Sequence, residues 1–257
     1  MEKKYSFRGV IGAVLFSLLY YAIYFALQIA AVYLVAAVSP YASFIEQMTL
    51  ELSIIGNCLC VLVFALIFKF TSTPLSEKAF INPFPSRFFI SMIILGVATT
   101  YGVALALGYI ESSGIIPEEW LKAQEEAYAD VYTASPVMQF FCVGLMAPVL
   151  EEILFRGLIL GTLKQEMHPW AAILLSSLAF GAAHGTAISF IYATGIGILM
   201  GWLFVKFNSV LPSIVFHVAY NCALAFSEGI NGLVALLSIP IMILSVISIK
   251  KYFRGSR

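Results

Sequence analysis

Residues 10–38 read VIGAVLFSLLYYAIYFALQIAAVYLVAAV, a stretch without one charged side chain. A helix rises 1.5 Å per residue, so this run reaches about 43 Å, more than the roughly 30 Å hydrocarbon core of a bilayer. Lys3, Lys4 and Arg8 precede it in the manner of a signal-peptide n-region. An h-region is only about 7–15 residues long, so the segment is expected to be an uncleaved membrane anchor.

Working outward, comparable apolar runs cover 49–70, 88–110, 137–163, 170–185, 188–206, 210–227 and 231–249. The run at 170–185 is short and is bounded by Pro169 and Gly185. Hydrophobic residues make up 61% of the 257 positions and charged residues 11%, against about 25% charged in soluble domains. Mean hydropathy is +0.96. The chain lacks the polar residues needed to coat a soluble surface, and the expected fold is an all-α polytopic membrane protein. About eight transmembrane helices would enclose a polar intramembrane cavity, in a single membrane domain spanning 1–257.

Fourteen basic residues balance fourteen acidic ones, so no cationic surface points to a nucleic-acid partner. Cys58, Cys60, Cys142 and Cys222 all fall in apolar runs and read as small packing residues. Cys58 and Cys60, two apart on a helix, face different directions, which argues against a disulfide or a metal pair. The Phe and Tyr residues are expected mostly at the lipid-facing or interfacial surface. Two connections are long. Residues 71–87 contain Pro74, Pro83 and Pro85 and read as a rigid irregular loop. Residues 111–135 carry Glu111, Glu118, Glu119, Glu125, Glu126 and Asp130 with Trp120, Tyr128 and Tyr132 among them, the composition of an acidic interfacial helix.

Charge placement tests the segmentation, because Lys and Arg gather in short cytoplasmic loops. With eight spans, Lys3, Lys4, Arg8, Lys69, Lys78, Arg87, Lys164, Lys206, Lys250, Lys251, Arg254 and Arg257 share one side. Lys122 falls opposite and Arg156 lies within a span. Both termini are therefore expected to be cytoplasmic, in a multi-pass protein of the cell membrane.

Ionisable groups at membrane depth cost about 2.5–3.5 kcal/mol each on insertion scales and need a reason to be there. The fourth run carries Glu151, Glu152 and Arg156, the fifth ends at His184, and the seventh carries His217 and Asn221. Counted along the helices, Glu151 and His184 lie roughly 20 Å from the cytoplasmic ends and His217 and Asn221 roughly 12–18 Å, so the groups share a layer. Glu152 and Arg156 are i, i+4 neighbours suited to an internal ion pair. Glu151 is turned about 100° from Glu152 and about 140° from Arg156, which leaves it free to face a cavity. His217 and Asn221, also i, i+4, offer two hydrogen-bond donors side by side. Ser176 and Ser177 read as small packing residues rather than nucleophiles, and His168, beside Pro169 and Trp170, as an interfacial residue.

The segments EEILFR (151–156), FGAAH (180–184) and HVAYN (217–221) give EExxxR, FxxxH and HxxxN in order on successive apolar segments. This arrangement resembles the CPBP family of CAAX proteases and bacteriocin-processing enzymes, also called the Abi family. The resemblance covers about 137–228, which would be the catalytic core. It implies an intramembrane endopeptidase without cofactor, acting on a membrane-associated peptide or protein (a CAAX-like or peptide-precursor substrate) within the lipid bilayer. Glu151 would be the general base and His184 would hold its water. His217 and Asn221 would form the oxyanion hole, with Glu152, Arg156 and Phe180 in support. Two other readings stay open on the residues alone. Glu151, His184 and His217 could hold zinc on the same scaffold, although the HExxH arrangement is absent. The cluster could also serve transport or bacteriocin immunity without catalysis, although no inverted repeat is evident.

Overall fold

The computed structural model describes residues 5–38, 49–70, 77, 79–224 and 232–255. Lys3, Lys4, Lys78 and Arg257 of the basic set, Pro74, and the ends of the last two runs at 225–227 and 231 lie outside the described residues, as do the side chains of Asp130 and Tyr132. The described residues are helical nearly throughout: α1 (Phe7–Val38), α2 (Thr49–Lys69), α3 (Phe89–Ser112), α4 (Glu118–Thr133), α5 (Pro136–Glu166), α6 (Pro169–Ala182), α7 (Ala187–Phe207), α8 (Leu211–Leu224) and α9 (Gly232–Gly255). Five of the apolar helices are long enough to cross a membrane: α1, α3, α5, α7 and α9. Three more, in α2, α6 and α8, are apolar but shorter. The eight apolar helices coincide with the eight expected runs. The acidic segment 118–133 is the helix α4, and it half-buries a stripe of Leu121, Gln124, Tyr128 and Val131 at helical spacing while Glu118, Glu119, Lys122, Glu125 and Glu126 face outward.

α5 is not regular. Gln139–Met146 and Ile153–Leu160 are wound as π-helix, on either side of an α-helical Ala147–Glu152. Ala147 N–H reaches back to Cys142 O, the five-residue spacing of that winding. Pro148 follows and has no N–H, so the carbonyls behind it lose a helical donor. α8 supplies the replacements: Asn221 Nδ2 donates to Val143 O at 2.8 Å and Cys222 Sγ to Gly144 O at 3.6 Å.

Small residues let the helices around the cavity approach closely. A Cβ on Gly96 of α3 would stand 2.4 Å from Phe216 O and 3.1 Å from Tyr220 N of α8, and Thr100 Oγ1 donates to Tyr220 O at 2.8 Å. α6 and α7 meet at Gly181 against Phe190 O, and at Gly197 against Ser177. α6 begins at His168, whose Nδ1 accepts Trp170 N–H at 3.3 Å before Pro169 opens the helix. This is a capping role for a histidine expected only to sit at the interface. Ser176 Oγ donates to Phe155 O and Ser177 Oγ to Ile173 O, both at 2.7 Å, so both serines pack as expected. All four cysteines are free thiols, Cys58 exposed and Cys60 buried.

The described aromatic residues divide between the expected surface positions and the core. Phe64, Phe155, Phe180, Phe204 and Phe216 are fully buried and Tyr20 and Tyr220 nearly so, whereas Phe7, Phe70 and Tyr109 face outward. Edge-to-face contacts such as Phe155 with Phe180 (5.2 Å) explain the difference. With no hydrophobic force to drive helices together in lipid, large flat side chains gain dispersion by interlocking between helices.

Candidate active site

α5, α6 and α8 bring their polar residues to one place. A cavity of about 240 Å³ is lined by Glu151, His184, His217 and Asn221, together with residues of α2, α4 and α7. Glu152 and Arg156 lie behind it, 0% and 1% exposed.

The two adjacent glutamates have different surroundings. Glu152 Oε1 accepts from Arg156 Nη1 at 2.6 Å, the i, i+4 pair expected from spacing. The same oxygen lies 3.0 Å from His217 Nδ1, a contact between α5 and α8 that spacing along one helix does not show. Glu152 Oε2 is buried and has no hydrogen-bond partner among the described residues. The Arg156 guanidinium lies 4.2 Å over the Phe180 ring and donates from Nη2 to Gly197 O at 3.3 Å. Phe180 therefore wedges between the cluster's cation and its imidazoles, with ring centroids 4.6 Å from His184 and 5.7 Å from His217. Among the described residues, Glu151 has no partner as close. Its side chain is 19% exposed into the cavity and its Oε2 stands 3.9 Å from His217 Nε2, beyond direct hydrogen-bond length.

Each histidine has one ring nitrogen engaged. His184 Nδ1 is 2.8 Å from Phe180 O, and a carbonyl only accepts, so Nδ1 carries the proton there. An ionised Glu152 likewise makes His217 Nδ1 a donor, and His217 Nε2 is directed toward Glu151. Asn221 spends one amide N–H on Val143 O, so of the two donors expected side by side it keeps one N–H uncommitted to that bond. Among the described residues, no three His, Cys, Asp or Glu side chains form a metal-ligand group.

Sequence reasoning missed three phenols on the cavity wall: Tyr128 from α4, Tyr192 from α7 and Tyr220 from α8. Tyr220 sits inside the HVAYN segment, but the other two carry no motif. Burial pushes the Tyr128 phenol above the ordinary tyrosine range.

The family model described as type II CAAX prenyl endopeptidase Rce1-like matches residues 133–223, which include every residue of the cluster. This segment is thus similar to the type II CAAX prenyl endopeptidases. Among curated proteins, the "Putative membrane peptidase YdiL" of Bacillus subtilis (strain 168) is 30% identical over 96 residues, 37% of this chain and 39% of that protein. "UPF0177 protein YxdF" of Lactococcus lactis subsp. lactis (strain IL1403) is 23% identical over 121 residues, 46% of this chain and 67% of that protein. The match thus spans about two fifths of the length of the first of these relatives. No solved structure matches the chain.

Proposed function

We propose that this protein is an intramembrane endopeptidase that hydrolyses peptide bonds of membrane-associated, CAAX-like or precursor peptides with a water activated by Glu151. The observation that carries the reading is the division of labour between neighbouring carboxylates. Glu152 is bonded by Arg156 and His217 Nδ1, while Glu151 faces the cavity with His217 Nε2 3.9 Å away, beyond hydrogen-bond length.

In the proposed reaction a water held by His184 gives a proton to Glu151, and its oxygen attacks the carbonyl carbon. The oxyanion that forms is met by His217 Nε2–H and Asn221 Nδ2–H. As the C–N bond breaks, Glu151 returns the proton to the leaving nitrogen, giving a new carboxylic acid and a new amine, and the acid's proton then passes to the amine, leaving a carboxylate and an ammonium group. His217 can donate from Nε2 while donating from Nδ1 to Glu152 only as imidazolium. In that state two carboxylates face one guanidinium and one imidazolium, and the buried cluster is electrically neutral. A neutral set is the one a low-dielectric interior accommodates at least cost. The reaction proposed requires no metal, and both termini lie on the cytoplasmic side of the membrane.

The test is cleavage by the purified full chain in lipid nanodiscs, using internally quenched peptides with a farnesylated or an apolar C-terminal tail. Cleavage by the wild type that Glu151→Gln abolishes supports the reading. A Glu151→Gln variant that cuts as fast as wild type would overturn it.

A further inference from the structure

α4 lies outside the membrane spans and outside all three motifs, yet its half-buried stripe forms part of the cavity wall through Tyr128 and Val131. It is held to the start of α7 by polar contacts. Thr186 Oγ1 donates to Gln124 Oε1, and Ser189 Oγ donates to the same oxygen at 3.0 Å. Ser189 Oγ also lies 3.0 Å from Tyr128 Oη and 3.2 Å from Tyr192 Oη. Ser189 is fully buried and does not line the cavity, whereas both phenol rings do.

A serine hydroxyl has one proton and two lone pairs. With that proton given to Gln124, the Tyr128 O–H can donate to Ser189 in the resting state. A peptide laid in the cavity brings a row of carbonyl acceptors past the Tyr128 ring. The phenol can exchange its serine partner for one of them by rotating its O–H, with no movement of α4. The wall around it is mainly apolar, including Ile54, Val131, Ala147 and Ile196, so a backbone carbonyl there would otherwise go unpaired.

We infer that Tyr128 is a substrate-positioning residue of this cavity, its phenol hydrogen-bonding the backbone of the bound peptide beside the bond presented to Glu151. The inference rests on the peptidase reading, but it concerns a residue that no motif includes. The chemical class of ligand is an extended peptide with apolar side chains, since the neighbouring walls offer phenols and aliphatic groups.

The test uses the full chain in nanodiscs with a pool of quenched peptides, half farnesylated and half carrying an apolar tail. KM and kcat are measured for wild type, Tyr128→Phe and Ser189→Ala. Kd for the same dye-labelled peptides is measured in each protein carrying Glu151→Gln. Losing one neutral hydrogen bond should raise KM and Kd about 2- to 12-fold in Tyr128→Phe with kcat unchanged. Ser189→Ala removes the tether but not the phenol, so its KM should stay at the wild-type value. Tyr128→Phe with wild-type KM and Kd would overturn the inference. So would a Ser189→Ala variant with the same rise, because the hydroxyl would then only fasten α4. Peptides that bind in a Tyr128-dependent way but are never cut would sink the peptidase reading and leave this inference standing. Peptides that neither bind nor are cut would sink both.

Discussion

The sharpest perturbation is to convert each of the two adjacent glutamates to its amide. Glu152 is 0% exposed, 2.6 Å from Arg156 and 3.0 Å from His217 Nδ1. Glu152→Gln keeps the volume and one acceptor oxygen but leaves Arg156 as an uncompensated charge. Removing one partner of a buried pair typically costs about 3–5 kcal/mol. The Phe180 face and Gly197 O still hold the guanidinium, which favours the lower end of that range. For a domain of this size, a loss of that order lowers Tm by roughly 6–20 °C. Adding Arg156→Met removes the orphaned charge and should restore part of the loss. Glu151→Gln breaks no such pair, since its nearest ionisable contact is 3.9 Å away. It should melt with the wild type yet lose about 10²–10⁴-fold in cleavage, the usual worth of a general base. The measurements are melting temperature in detergent and cleavage rate per folded molecule. A fully stable but inactive Glu152→Gln beside a destabilised Glu151→Gln would refute the assignment of roles.

Three further outcomes are expected. A reporter fused after Arg257 should behave as cytoplasmic and one inserted near Glu118 as external; an external C-terminus would remove the basis for eight spans. Chelators should leave cleavage intact, and loss of activity restored specifically by zinc would make Glu151 a ligand rather than a base. Gly96→Leu should destabilise by about 1–3 kcal/mol through overpacking and lower cleavage by displacing α8, because its Cβ position already stands 2.4 Å from Phe216 O; a variant with wild-type Tm and activity would show that α3 does not hold α8 in place.

The parts of this molecule that were legible in its sequence depend on short-range regularities. Apolar runs marked the helices because lipid admits few alternatives, and i, i+4 spacing found the Glu152–Arg156 pair because both residues ride one helix. The same geometry separated Glu151 from Glu152, even though Arg156 lies in a π-helical stretch. Contacts between helices were not legible. His217 bonding to Glu152 joins residues 65 apart, and Asn221 bonding to Val143 joins residues 78 apart. Pro148 was a signal that could have been read: a proline inside an apolar run leaves a carbonyl in need of a donor, and Asn221 answers it. The buried phenylalanines were misplaced because composition cannot tell an aromatic ring that faces lipid from one that interlocks with a neighbouring helix.

The shortness of α6 bears on why an acidic helix outside the membrane core belongs to the site. α6 spans Pro169–Ala182, so it rises only about 21 Å and ends before a roughly 30 Å core is crossed. His184 stands on the irregular turn that follows, where Gly185 takes φ +79°, a conformation that glycine adopts without the clash a Cβ would bring. Backbone of this kind is tolerated at membrane depth only when its polar groups are satisfied within the protein. The turn meets part of that demand itself: His184 N–H donates to Gly181 O at 3.1 Å, Thr186 N–H to His184 O at 3.0 Å, and Ser189 N–H to Thr186 Oγ1 at 3.1 Å. The remaining hydroxyl protons of Thr186 and Ser189 are taken by Gln124 of α4. A helix that carries no motif thus bonds the hydroxyls that follow the His184 turn, and through Tyr128 and Val131 the acidic connection is part of the cavity wall.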